Sequence, residues 1–246
     1  MSLLKHIPNA ITSLNLFSGI LGVIFCLGGN VFAAFVMMLA AVVFDFCDGL
    51  TARLLGVSSP VGKELDSLAD VVSFGVLPAL MLMETMILHK DPAAAVSWKS
   101  WFYMVPLLLG VFSALRLAKF NIDERQTDSF LGLPTPASAL LAASLCVYIE
   151  KTPESFLSAW AGTPWFLPGV ALVLCALVVS ELPMFSLKIH KGDSVVETWK
   201  RISILTVAVI LLVAILVWGK HWSLAILLTF IAYILINCAF ALFTKK

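Results

Sequence analysis

Apolar positions run through this chain in long blocks separated by short polar breaks. Blocks of about 20 residues recur at roughly 11–29, 31–54, 67–88, 101–121, 134–150, 165–186, 202–219 and 221–243. About 20 apolar residues cross a bilayer core as a helix, and helices satisfy their own backbone hydrogen bonds in lipid. The pattern therefore predicts an all-α polytopic membrane protein with about eight transmembrane helices. The breaks at 28–30, 89–100, 121–134, 151–164, 186–201 and 219–222 read as loops. The sixth block is weakest at its end, where Glu181 and Pro183 fall.

Composition agrees. Of 246 residues, 61% are hydrophobic and 13% charged, with mean hydropathy +1.01. A soluble domain has roughly 45–50% apolar and about 25% charged residues. No long polar stretch could form a separate soluble domain, so one integral membrane domain is expected. A net charge of +1 gives no reason to expect a nucleic-acid partner. Five cysteines lie within apolar segments and read as packing residues, not a disulfide framework. The first apolar block shows no convincing cleavage site for a signal peptide. With the N-terminus inside and eight alternating spans, 12 of the 16 Lys and Arg residues fall on the inner face. The other four, Lys90, Lys99, Lys151 and Lys220, fall outside. The positive-inside rule then places both termini and the loop between the second and third spans in the cytoplasm.

That loop region, FDFCDGLTARLLGVSSPVGKELDSLAD from Phe44 to Asp70, interrupts the apolar pattern with four carboxylates. Asp45 and Asp48 are three residues apart, and Asp66 and Asp70 are four apart, so each pair shares a helix face. Gly49, Gly56, Pro60 and Gly62 can turn the chain between two antiparallel helices. The two pairs would then meet near the cytoplasmic surface. One aspartate at a helix end is ordinarily a cap or an interfacial charge. Four at helical spacing, with only Arg53 and Lys63 close by, call for divalent cations. All-oxygen ligands favour Mg²⁺, Mn²⁺ or Ca²⁺, and Mg²⁺ characteristically bridges carboxylates to substrate phosphates. A cation transporter with an acidic binding cluster is the alternative from another class.

The pattern Asp45-x-x-Asp48-Gly49-x-x-Ala52-Arg53, eight residues, then Gly62-x-x-x-Asp66-x-x-x-Asp70 resembles the signature of the CDP-alcohol phosphotransferase family at every defined position. The resemblance implies a six-helix catalytic core, assigned to 1–186, with two additional helices in 187–246. It also implies a lipid-open cytoplasmic cleft, frequent homodimers, and transfer of a substituted phosphate from a CDP-linked donor to an alcohol. Asp45, Asp48, Asp66 and Asp70 would surround Mg²⁺ or Mn²⁺, two ions by analogy, with Asp70 the candidate general base. Gly49, Ala52, Arg53 and Gly62 would help form the nucleotide site. Small residues let a nucleotide lie against the helix, and the arginine fork suits phosphate.

Asn9, Thr12, Asn15, Gly19 and Gly22 form a small and polar stripe on the first span. For the two glycines the reading is helix packing; for Asn9, Thr12 and Asn15 it is cytidine or phosphate contact. SLADVVSFGVLPAL from Ser67, SALRLAKFN from Ser113 and GLPTPA from Gly132 resemble the bacterial and archaeal phosphatidylserine synthase branch of the family. That likeness implies CDP-diacylglycerol as donor and L-serine as acceptor in a bacterial or archaeal cell membrane. Glycerol 3-phosphate and inositol are the alternative acceptors. Arg116, Lys119 and Asn121 could face either substrate; Lys119 also suits a snorkelling anchor, and Asn121 a helix cap.

Overall fold

The computed structural model describes residues 6–57, 59–89, 98–122, 130–161, 163, 165–184 and 195–244. Among the described residues the protein is built of α-helices, with a single two-stranded ladder. It is an all-α polytopic membrane protein. Four helical bodies, His6–Leu27, Val31–Leu55, Pro60–His89 and Trp101–Ile122, are long and apolar enough to cross a bilayer. Of the basic residues used to orient the chain, Lys5, Lys90, Arg125, Lys188, Lys191, Lys245 and Lys246 lie outside the described residues.

Helices α1 (His6–Leu27) and α2 (Val31–Leu55) form a tight hairpin. Gly29 turns it at φ 77°, and the Asn30 side chain caps α2 by accepting from the Ala33 amide at 2.9 Å. Gly56 ends α2 in the left-handed conformation, and Ser59 with Pro60 starts α3 (Pro60–Asp70). The next turn is unusual. Directly after Asp70 the helix widens into a π-helical stretch, Val71–Val76, before continuing as α4 (Leu77–His89). Gly75 and Gly110 allow this stretch to approach α5 (Leu108–Ile122), which follows a 3₁₀ segment from Trp98.

The centre of the bundle is α6 (Thr135–Lys151), whose residues Leu141 to Ile149 are all buried. Its small residues, Ala137, Ser138, Ala139, Ala142, Ala143 and Ser144, let neighbouring helices close around it. In lipid, close van der Waals packing of this kind replaces the hydrophobic drive between helices. The same logic accounts for Gly22, where an added Cβ would fall 2.5 Å from Leu77 Cδ2, and for Gly19, which lies against Ser73. Both glycines pack, as the sequence suggests. The outer face of α1 shows Leu14, Phe17, Ile20, Ile24 and Leu27, a lipid-facing stripe.

The sixth span is shorter than the pattern predicts. After a short α7 (Phe156–Ala161), α8 runs only Phe166–Val179, or about 21 Å at 1.5 Å per residue. The chain then turns extended. Pro183–Met184 pairs antiparallel with Phe130–Leu131, with Phe130 opposite Met184. Gly132 at φ 78° joins that clasp: an added Cβ would lie 2.6 Å from the Val178 carbonyl oxygen. Its amide donates to Leu182 O at 2.9 Å, and the Leu133 amide donates to Leu177 O at 2.9 Å. The clasp fixes the start of α6. The last helices are α9 (Val195–Val217), which begins earlier than 202, and α10 (Ser223–Thr244), which packs against α6.

Candidate active site

The loop between α2 and α3 returns the chain antiparallel, and the carboxylates meet. One oxygen from each of Asp45, Asp48 and Asp66 lies within 4.8 Å of the others. Three carboxylates this close repel by on the order of 3 kcal/mol per pair near a protein surface. A divalent cation reverses that balance, so the residues fit a bound metal, and the all-oxygen set suits a hard ion.

Asp70 stands outside that group. It is 8% exposed, and Asn15 Nδ2 donates to its Oδ1 at 3.3 Å. The carboxylates of Asp45, Asp66 and Asp48 act on it electrostatically. The structure thus divides four aspartates that the spacing treats alike: three converge, and one is held apart by Asn15.

The polar stripe of α1 divides similarly. The Thr12 hydroxyl lies 2.6 Å from Asp48 Oδ2 and 3.0 Å from the Pro8 carbonyl oxygen. Asn9 and Thr12 line a cavity of about 190 Å³ with Asp48, Gly49, Ala52, Gly62, Lys63 and Asp66. Asn15 is fully buried behind it and holds Asp70, so its place is the carboxylate and not the cavity wall. Ser73, in the π-helical stretch, donates to Asn15 O at 3.2 Å and braces that arrangement. Gly49 opens directly on the cavity, with nothing within 4 Å of where a Cβ would be. Gly62 is a close approach, since an added Cβ there would fall only 2.7 Å from Asn9 Oδ1. Arg53 is not a wall residue. It is exposed, and its Nε donates to Gly49 O at 3.0 Å on its own helix. Lys63, read from the sequence only as a neighbouring charge, does line the cavity.

Arg116, on α5, is 8% exposed; its NH1 donates to Thr135 Oγ1 at 3.2 Å. Its guanidinium lies 5.9 Å from the Phe120 ring centroid and within electrostatic reach of Asp70. Lys119 points elsewhere, 3.5 Å from the Glu181 carboxylate, and both side chains are exposed. Such a surface pair adds little stability. Asn121 ties two helices together: its Nδ2 donates to Ser67 Oγ at 2.8 Å, and its carbonyl accepts from Lys63 Nζ at 3.2 Å. Thr135, within the GLPTPA segment, is the contact that residue-type reasoning passes over.

Residues 5–180 match the family described as CDP-alcohol phosphatidyltransferase. The chain is 31% identical over 243 residues to a CDP-diacylglycerol–serine O-phosphatidyltransferase of Mycobacterium leprae, covering 94% of this chain and 74% of the relative. It is 36% identical over 188 residues to the Mycobacterium tuberculosis protein of the same name, covering 74% of this chain and 61% of the relative. An archaetidylserine synthase of Methanothermobacter thermautotrophicus is 36% identical over 140 residues, covering 56% of each chain.

Proposed function

The chain belongs to the CDP-alcohol phosphatidyltransferase family, and from that membership we propose that it transfers a phosphatidyl group from CDP-diacylglycerol to L-serine, giving phosphatidylserine and CMP. The observation that carries the reading is the convergence of Asp45, Asp48 and Asp66 at the edge of a cavity that Asp48 and Asp66 line together with Gly49, Ala52 and Gly62. The serine likeness of the bacterial relatives and of the archaeal one, which differ in the lipid they name, favours serine as the shared acceptor. Family membership favours this reading over a cation transporter.

Asp45, Asp48 and Asp66 would hold Mg²⁺ or Mn²⁺, two ions in the family reading, and bound metal supplies the positive charge that offsets the donor pyrophosphate and departing CMP. The cytidine end of the donor lies along Gly49, Ala52 and Gly62, with Asn9 and Thr12 opposite. Asn15 orients Asp70, which accepts the proton of the serine hydroxyl as its oxygen attacks the lipid-bearing phosphorus. The P–O bond to CMP breaks, and CMP leaves with the electron pair. Arg116 takes an anion of the substrates. Residues 1–186 form the catalytic core, both termini and the site face the cytoplasm, and the enzyme works as a homodimer. Purified protein supplied with CDP-diacylglycerol and a panel of alcohols tests the reading. CMP release with serine supports it; release only with glycerol 3-phosphate or inositol moves the assignment to that alcohol.

Two substitutions test the walls. Gly49→Ala places a methyl group in open cavity, while removing a helix-interior glycine stabilises a helix by about 0.5–1 kcal/mol. The variant is expected to melt slightly higher yet bind CDP-diacylglycerol more weakly. Unchanged donor affinity would take Gly49 off the nucleotide surface. Arg116→Ala is expected to lower kcat/KM by about one to two powers of ten, the value of a charge-assisted hydrogen bond. Arg116→Lys should recover part of it, since an ammonium lacks the planar fork. Steady-state kinetics in both substrates reads this out, and unchanged kinetics in Arg116→Ala would leave the residue structural.

A further inference from the structure

Helix α10 lies beyond the family-matched segment of residues 5–180. It is apolar except for a few positions, among which Thr229, Tyr233 and Asn237 are spaced by four and share one face. That face turns inward. Tyr233 is 3% and Asn237 2% exposed, whereas Ile231 and Leu235 face outward. Asn237 Nδ2 donates to the Tyr233 carbonyl at 2.8 Å. The helix packs on α6, whose first residue is the Thr135 that accepts from Arg116.

Arg116 itself is under-provided. A guanidinium carries five donors and is costly to bury without partners. Among the described residues its buried Nε has no hydrogen-bond partner. Tyr233, on α10, and Asp70, at the end of α3, both lie within its electrostatic reach. Asp70 belongs to the reacting side. Tyr233 comes from α10, and a phenol oxygen is a natural acceptor for guanidinium N–H groups.

We propose that Tyr233 is a positioning residue for the acceptor alcohol: its hydroxyl, brought in by α10, steadies the Arg116 guanidinium so that its remaining donors meet the carboxylate of the incoming amino acid. The last helix is then a wall of the acceptor pocket. This rests on the phosphatidyl-transfer reading above.

The test is a double-mutant cycle on the full chain in nanodiscs. Tyr233→Phe keeps the ring and removes the oxygen. It is expected to raise the serine KM about three- to tenfold, the range of one net hydrogen bond, with kcat, CDP-diacylglycerol affinity and melting temperature unchanged. In an Arg116→Ala background the same substitution is expected to add nothing. An unchanged serine KM in Tyr233→Phe overturns the proposal. So does an equal multiplicative loss in the Arg116→Ala background, or a loss confined to donor affinity. If the wild-type protein releases CMP only with another alcohol, the serine assignment fails on its own. The same cycle on that alcohol's KM then decides Tyr233.

Discussion

Asp48→Asn is expected to abolish transfer, by about a thousandfold or more, in a protein that still inserts and folds. Asp48 is 6% exposed, holds the Thr12 hydroxyl at 2.6 Å and shares the 4.8 Å group with Asp45 and Asp66. The carboxamide keeps an oxygen for Thr12 but loses the charge that a hard cation needs. The substitution also removes one of three mutually repelling charges. Metal-free Asp48→Asn is therefore expected to melt no lower than metal-free wild type. The rise on adding Mn²⁺ should shrink; wild type gains about 2.7 kcal/mol at a hundredfold excess over Kd. Differential scanning fluorimetry with and without chelator measures this beside CMP release. An undiminished Mn²⁺ response would remove Asp48 from the ligand set.

Asp70→Asn should separate binding from chemistry. Asp70 is outside the three-carboxylate group and is held by Asn15, so donor affinity and the Mn²⁺ response are expected to survive. CMP release in the presence of serine is expected to fall by about two to four powers of ten, the range for a positioned general base. Titrating CDP-diacylglycerol without serine, then adding it, gives both quantities on one sample. Parallel loss of donor binding and turnover would make Asp70 a ligand and reassign the base.

The membrane class and the carboxylate cluster were readable from sequence for the same reason. Charges in apolar surroundings stand out, and a spacing of three or four residues puts them on one face whatever packs nearby. Helix partners were much less readable. A lipid-facing surface and a packed interior are both apolar, so a helix such as α8, apolar almost throughout, carries no polar face to mark its orientation. Hence Asn15 joins Thr12 in one stripe by spacing, yet packing against Ser73 and Asp70 gives it a different neighbour. Tyr233 sits in the eighth apolar block, which the pattern reads only as a further span. The sixth span was overestimated because Leu182 to Met184 resume the apolar run, whereas Pro183 and Met184 pair with Leu131 and Phe130 as extended chain. Only the unfavourable Glu181 and Pro183 hinted at that. Arg53 shows the reverse limit, since a matching motif position does not say which way a side chain at a helix end turns.

The π-helical stretch from Val71 to Val76 lies between Asp70 and the membrane-embedded half of the same continuous helix. Each residue in a helix turns the chain by about 100°, and a π turn holds one residue more than an α turn. The rotational phase between the carboxylates above and the packing surface below is therefore a matter of residue number as much as residue type. Apolar exchanges within Val71–Val76 leave that phase alone. Wound as plain α-helix with no residue removed, the stretch would still be hydrophobic and long enough to span, but Asp66 and Asp70 would be swung by about 100° away from Asp45 and Asp48. In this segment the chain keeps count, and its length is part of the chemistry.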